Sequence, residues 1–155
     1  MSKNKCNEND IFKRGGANPQ NSEYANTVAD YTNLATGDNI IENMTCDATV
    51  SVGDIVRLSA GTVVKAQADT LTNSNIIGIC VTKNTSTDCN VQVTGYTASV
   101  FGGLDVTKKY YLSDATAGAI TANPPTASGS YVIRIGTPRS TSSIIIQVER
   151  VVKRA

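Results

Sequence analysis

The side chains that could carry chemistry are thiols and carboxylates, because the 155-residue chain contains no histidine. Without an imidazole, the Ser-His-Asp and Cys-His arrangements of nucleophilic catalysis are impossible, and the commonest nitrogen ligand for zinc is missing. The motifs GxSxG, GxGxxG and GxxxxGK[ST], which build nucleophile elbows and phosphate-binding loops, do not occur either. The search for a reactive site therefore reduces to four cysteines and 13 acidic residues.

The four cysteines are widely scattered, at Cys6, Cys46, Cys80 and Cys89. The closest two, Cys80 and Cys89, are separated by eight residues, so the chain has no CxxC pair for zinc or for disulfide exchange. The spacing does not resemble a disulfide framework. We expect reduced thiols, with Cys80 as a small core residue.

Carboxylate pairs for glycosidase-like chemistry could be assembled from five aspartates, but each lies in or beside a turn, where Asp usually caps the backbone. A calcium loop needs oxygen ligands at alternate positions around a glycine, and Thr85–Asp88 does not supply that pattern. We predict a non-enzymatic protein with no catalytic residues, no metal and no cofactor. The five aspartates are Asp54, Asp69, Asp88, Asp105 and Asp114.

Composition and charge restrict the possible partners. Lys plus Arg is 14 and Asp plus Glu is 13, a net charge of +1, which argues against electrostatic binding to nucleic acid or a membrane. No apolar run reaches the length of a membrane span. Cys6–Asp10 is polar where a signal peptide would be apolar. We expect a soluble chain without a secretion signal.

One stretch has an asymmetric charge. From Ser130 to Ala155 there are five basic residues against the single acid Glu149. This pattern is typical of a solvated tail after a last strand, and it is also compatible with a contact to an acidic protein surface. The five are Arg134, Arg139, Arg150, Lys153 and Arg154.

The first forty residues differ from the rest. Residues 1–23 are rich in Asn, Lys and Gly, and Ile11-Phe12 is their only apolar pair, so they cannot support a core. A short helix is predicted over 23–35, because four residues recur there at spacings of four, three and four: Tyr24, Val28, Tyr31 and Ala35. We interpret residues 1–40 as an N-terminal arm that is disordered alone.

From residue 41 to 155 the hydrophobic period is two, with turn residues every 8 to 15 positions. Ala48–Val52 and Asp54–Leu58 predict strands, and Val63–Ala66 returns after the turn at Gly61 to make a hairpin. Ile76–Val81 predicts a strand buried on both faces, in which Gly78 marks a bulge or a close backbone approach. Thr82–Asp88 is predicted as a loop.

Further strands are predicted at Asn90–Gly95, Lys109–Ser113, Ala119–Thr121, Tyr131–Gly136 and Ser143–Glu149. The fold class is therefore all-β: an antiparallel β-sandwich or partly open barrel of about eight strands, preceded by an extended N-terminal arm with one short helix.

Roughly residues 50–150 resemble a β-module that recurs in virion proteins of tailed bacteriophages, including head fibres, capsid decoration proteins and some tail appendages. The resemblance lies in turns and strands and contains no catalytic signature. The residues that carry it are Gly53–Leu58, Gly61–Ala66, Ile77–Ile79, Lys109–Ser113, Gly118–Thr121, Pro124-Pro125, Gly129, Val132 and Ile135-Gly136.

The resemblance implies a homotrimeric virion structural protein, assembled in the host cytoplasm and attached to the capsid by an N-terminal segment. Its partners would be the major capsid protein or other virion proteins, with no nucleic acid and no membrane. The arm would then order on docking. The capsid-docking residues proposed on this basis are Ile11, Phe12, Lys13, Arg14, Tyr24, Val28 and Tyr31.

Two other classes remain open. One is a tail or baseplate adhesin module that binds a host glycan, and the other is an enzyme of unrecognised type such as a polysaccharide depolymerase. The chain has no tryptophan to offer as a sugar platform. It also has no coiled-coil or collagen-like stalk, which favours a short head fibre or decoration protein over an extended fibre.

Overall fold

A computed structural model describes residues 39–155, which form one compact unit. This part of the chain contains nine β-strands and no helix, so the all-β prediction is confirmed. The predicted helix over 23–35 and the first 38 residues of the predicted arm lie outside the described residues.

The strands form two antiparallel sheets, one of five strands in the order β1-β5-β4-β2-β3 and one of four in the order β7-β6-β8-β9. Neighbours in sequence pair as hairpins in both sheets, as alternating strands with short turns should. The strands are β1 (Ile41–Thr45), β2 (Ile55–Ser59), β3 (Thr62–Lys65), β4 (Ile76–Thr85), β5 (Asp88–Gln92), β6 (Tyr110–Leu112), β7 (Ile120–Thr121), β8 (Tyr131–Pro138) and β9 (Ile144–Lys153).

The structure corrects three of the predicted segments. Ala48–Val52 is a turn segment, because Asp47 caps it by accepting hydrogen bonds from Thr49. Thr82–Asp88 is mostly strand, since β4 runs to Thr85 and β5 begins at Asp88. The last strand continues four residues beyond Glu149, to Lys153.

The main core lies between the two sheets, in a sandwich-like arrangement. Side chains of β2 and β4 in the five-stranded sheet pack against β6, β8 and β9 of the four-stranded sheet. The two rings of the Tyr110-Tyr111 pair lie on opposite faces of β6, with Tyr110 buried and Tyr111 half-buried. The largest buried members of this core are Ile55, Ile79, Leu112, Ile133, Ile135 and Ile144.

A second core lies on the other face of the five-stranded sheet, which curls until its outer strands meet. Cys46, just after β1, forms a parallel bridge with Val63 of β3, and the Asp47 N–H donates to the Val63 carbonyl at 2.8 Å. The enclosed side chains are small, as a narrow, nearly closed sheet requires. They are Cys46, Val50, Val56, Val63, Cys80, Cys89 and Val91.

Gly78 of β4 is a point of close backbone approach, as predicted. A Cβ at this position would collide with the Gln92 carbonyl of β5 and lie 2.8 Å from the Val91 side chain. The β2–β4 register also shifts beside it, between Val56 and Arg57. A side chain here would therefore separate β4 from β5.

Across the described range, no helix has the length and apolar character needed to span a bilayer.

Candidate interaction surface

The seven residues proposed to dock on the capsid all lie outside the described residues. They are Ile11, Phe12, Lys13, Arg14, Tyr24, Val28 and Tyr31. The docking hypothesis therefore remains a prediction from sequence. The described part of the chain offers three other groups of chemical interest: carboxylates in turns, a thiol cluster, and the edge of β9.

The turn carboxylates accept hydrogen bonds from nearby groups of the protein, most of them main-chain N–H groups of the same turn. Asp54 accepts a hydrogen bond from the Ser51 N–H at 2.7 Å, Asp69 from the Thr70 N–H at 2.7 Å, and Asp105 from the Thr107 N–H at 2.9 Å. Asp114 accepts from the Ser130 hydroxyl at 2.9 Å. The backbone-capping prediction is thus confirmed for Asp54, Asp69 and Asp105.

Two of the turn aspartates, Asp47 and Asp105, have a lowered pKa. The hydroxyl and N–H of Thr49 hold the pKa of Asp47 below its ordinary value, and those of Thr107 do the same for Asp105. Both hydrogen bonds favour the ionised carboxylate. These groups are anionic acceptors that stabilise turns.

The junction between the sheets gathers residues of the motif that carries the phage resemblance. The Ile55 N–H donates to the Gly118 carbonyl at 2.8 Å, and the Gly118 N–H donates to the Ala66 carbonyl at 2.7 Å. Lys65 forms an ion pair with Asp54 at 2.9 Å beside them. Gly118 has φ +80°, and a Cβ there would lie 2.7 Å from the Asp54 carboxylate. The motif residues therefore connect the two sheets.

The thiols of Cys46, Cys80 and Cys89 are free, buried and clustered inside the five-stranded sheet. Burial raises the pKa of Cys89 to about 12, and the neighbouring Cys46 and Cys80 add to this effect. Burial also raises the pKa of Cys80. The prediction that Cys80 is a small core residue is confirmed. Thiols of this kind are poor nucleophiles, since the thiolate is the reactive form.

Lys83 lies at the border of the thiol cluster. Its ammonium group is 3.1 Å from the Cys46 sulfur and 2.8 Å from the Asp47 carbonyl oxygen. Within residues 39–155, no three Cys, Asp or Glu side chains are arranged to hold a metal ion.

The basic residues of the C-terminal stretch separate into different roles. Arg134 binds Glu149 at 3.2 Å, so the only acid of the stretch is neutralised. Arg139 stacks 4.1 Å from the centre of the Tyr96 ring, and the Arg154 Nε donates to the Pro125 carbonyl. Lys153 lies 5.9 Å from the Tyr131 ring centre. Both Arg150 and Lys153 are exposed.

Arg150 and Lys153 lie on β9, the edge strand of the four-stranded sheet. At its start, the outer edge of β9 pairs with residues 95–97, in the segment that follows β5. The Ile146 N–H donates to the Gly95 carbonyl, and the Thr97 N–H donates to the Ile144 carbonyl. From Gln147 to Lys153, β8 is the one strand of the described chain that pairs with β9. We call the side of Gln147–Lys153 that faces away from β8 the β9 edge. Val148 and Val152 are 45% and 55% exposed there.

Sequence reasoning identified the basic stretch but not its place at a sheet edge. The signal available was the run Val148–Lys153, in which valines are interspersed with charged residues. That alternation is typical of a strand with one solvated side, but the high content of basic residues is equally typical of a solvated tail.

Comparison with known proteins gave no match: no family model, no curated protein and no solved structure is similar to the chain.

Proposed function

We propose that the chain is a non-enzymatic structural component of a tailed-phage virion, a head fibre or capsid decoration protein. In this proposal the N-terminal residues attach it to the capsid and the β-domain faces outward. The resemblance of residues 50–150 to a recurrent virion module is its basis. The binding partners in this proposal are the major capsid protein or other virion proteins.

The observation that supports the proposal is the sheet junction. Motif residues distant in sequence meet there through main-chain hydrogen bonds, from Ile55 to Gly118 and from Gly118 to Ala66. The Asp54–Lys65 ion pair is adjacent, with both side chains more than two-thirds buried. A motif whose residues hold two sheets together suits a protein whose task is to keep its shape on a particle.

Attachment is tested with the full chain and a variant that lacks residues 1–23. Each is added to capsids of the encoding phage that lack the protein, and co-sedimentation is measured. We expect the full chain to saturate defined capsid sites and the shortened chain to lose occupancy. Equal occupancy of both chains would refute the arm hypothesis, and no binding of either chain would refute the capsid assignment.

The homotrimer is tested separately by light scattering of the full chain at micromolar concentration. Three-fold attachment would increase capsid affinity through avidity. We expect the mass of three chains, and a monomeric mass would contradict the trimer.

A further inference from the structure

We propose that the β9 edge, from Gln147 to Lys153, binds an extended acidic segment of a partner protein by strand addition. In this mode the partner continues the sheet through main-chain hydrogen bonds, and its side chains contact those of the edge strand. The inference concerns a surface of the β-domain and does not depend on the virion assignment.

The first support is the hydrogen-bonding capacity of the edge. β9 has 10 residues and ends the four-stranded sheet. Its outer side is paired only at Ile144 and Ile146 by described residues, through Thr97 and Gly95. An added strand could therefore pair with β9 beyond Ile146, on the same side on which residues 95–97 pair with its first residues.

The second support is the apolar content of the edge. Val148 and Val152 are about half exposed although both belong to β9, whose pairing with β8 shifts register on either side of Glu149-Arg150. Just before them, Ile145 and Tyr96 are exposed to 40% and 38% and form a bridge with each other. A partner strand that covered these side chains would remove apolar surface from water.

The third support is charge, which selects the kind of partner. Glu149 is neutralised by Arg134, so the positive charges of Arg150 and Lys153 remain on an exposed strand. Two copies of this edge placed side by side would repel each other. Basic residues on an edge strand discourage such self-pairing, and they attract a strand that carries Asp or Glu.

The test uses the full chain and a capped heptapeptide of alternating glutamate and valine, with a lysine–valine peptide as the matched control. Binding is followed by two-dimensional NMR of the protein amides. We expect the glutamate peptide to bind with a dissociation constant below about 1 mM and to shift amides of Gln147–Lys153. We expect the lysine peptide to bind at least tenfold more weakly, about the effect of two like-charge contacts.

Charge reversal makes the test specific. The double variant Arg150→Glu/Lys153→Glu should exchange the preference and bind the lysine peptide better. Lys109→Glu, which alters another exposed basic residue outside the edge, should behave as the unaltered chain. If the double variant does not fold, the salt dependence of the unaltered chain decides, because charge-selected binding weakens as salt is raised.

Three results would overturn the proposal. The first is no amide shift in Gln147–Lys153 with about 1 mM glutamate peptide. The second is equal binding of the two peptides, or, in the fallback test, binding unaffected by salt. The third is concentration-dependent protection of the same amides in the free protein, which would show that a second copy of the chain occupies the edge.

Discussion

Single side chains stabilise the turns of this protein through repeated local contacts. Asp47 and Asp105 each accept two hydrogen bonds from the threonine two positions later, with the N–H and hydroxyl of Thr49 and of Thr107 as donors. Because two separate turns use the same arrangement, one serves as an internal control for the other.

The first prediction concerns the pKa of Asp105. The substitution Thr107→Val removes the hydroxyl, the largest cause of the lowered pKa, while the N–H remains. We expect the pKa of Asp105 to rise toward its ordinary value of 3.8 and that of Asp47 to stay unchanged. Carboxyl carbon shifts measured by NMR during an acid titration check this. A pKa of Asp105 unaffected by the substitution would contradict it.

The sign of the accompanying stability change follows from linkage. A carboxyl whose pKa is lower in the folded state than in the unfolded state stabilises the fold above the unfolded value. That contribution is lost as the pH falls through the folded pKa. In Thr107→Val, less of this acid-sensitive stability remains, so the variant and the unaltered chain should converge in stability at low pH.

The second prediction concerns the buried thiols. Cys89 has a pKa of about 12 in the folded chain, against an ordinary value of 9.0, so its neutral form is favoured by folding. The corresponding stability is complete below pH 9.0 and is lost as the pH rises toward about 12. We therefore expect unfolding by denaturant to become easier over this range.

Reactivity provides the direct measurement. At mildly alkaline pH, alkylation of Cys80 and Cys89 by iodoacetamide should be at least about a hundredfold slower in the native chain than in denaturant, because opening must precede reaction. Peptide mass mapping resolves each cysteine separately. Equal rates in the native and denatured chain would mean that the sulfurs are accessible.

At the scale of strands and turns, the fold depends on places where backbones approach closely. Gly118 and Gly129 share a left-handed conformation, with φ of +80° and +84°. They differ in their surroundings, since a Cβ at Gly118 would meet Asp54 and Lys65, whereas a Cβ at Gly129 has nothing within 4 Å. A substitution at Gly129 therefore introduces backbone strain alone, whereas the same substitution at Gly118 introduces backbone strain and steric crowding.

The third prediction compares Gly118→Ala with Gly129→Ala. We expect Gly129→Ala to cost about 1 kcal/mol of unfolding free energy, the strain of an alanine in this conformation. Gly118→Ala should cost about 1–3 kcal/mol more, because the methyl group displaces the Asp54–Lys65 ion pair at the sheet junction. Denaturant melts of both variants provide the comparison. Equal losses would show that the junction tolerates the added methyl group.

Much of the strand order along the chain was predictable from alternation, and the reasons for the failures are physical. The segments Ile76–Val81 and Tyr131–Gly136 are rich in residues that favour strands, and they are buried or half-buried. Local sequence and tertiary packing therefore favour the same structure there. The second half of β4, Thr82–Thr85, is polar and is a strand because β5 pairs with it. Pairing of this kind depends on a neighbour and cannot be read from local composition.

The candidate surface was predictable only in part. The basic stretch is visible in the sequence, but its position at a sheet edge depends on the order β7-β6-β8-β9, which sequence periodicity does not contain. The meeting of Cys46 with Val63, which encloses the thiols, is likewise a long-range pairing. The seven residues predicted from sequence to dock on a capsid lie in the part of the chain that the structure does not describe.

For the whole molecule, the two cores share one sheet. The face of β2 and β4 toward the second sheet contributes Ile55 and Ile79, and the opposite face contributes Val56 and Cys80. Both clusters consist of residues from Met44 to Ile146 within the described range. A domain with its own core can fold alone.

The fourth prediction is that residues 39–155 fold without the preceding segment. We expect the fragment to retain the β-rich circular dichroism spectrum of the full chain and to melt within about 4 °C of it, a difference equivalent to less than about 1 kcal/mol. Thermal melts of both chains at equal concentration check this. An unfolded fragment would mean that residues before Asn39 supply part of the core.

Because of the bridge between Cys46 and Val63, the edges of the two sheets differ in how much main chain they leave unpaired within the described residues. Within residues 39–155, the five-stranded sheet pairs its two outer ends with each other at Cys46 and Val63, so main-chain groups at that point are already bonded. The four-stranded sheet ends in strands of unequal reach, two residues in β7 and 10 in β9. Any association through main-chain hydrogen bonds at the edges of residues 39–155 would then be made more readily by β9 than by β7.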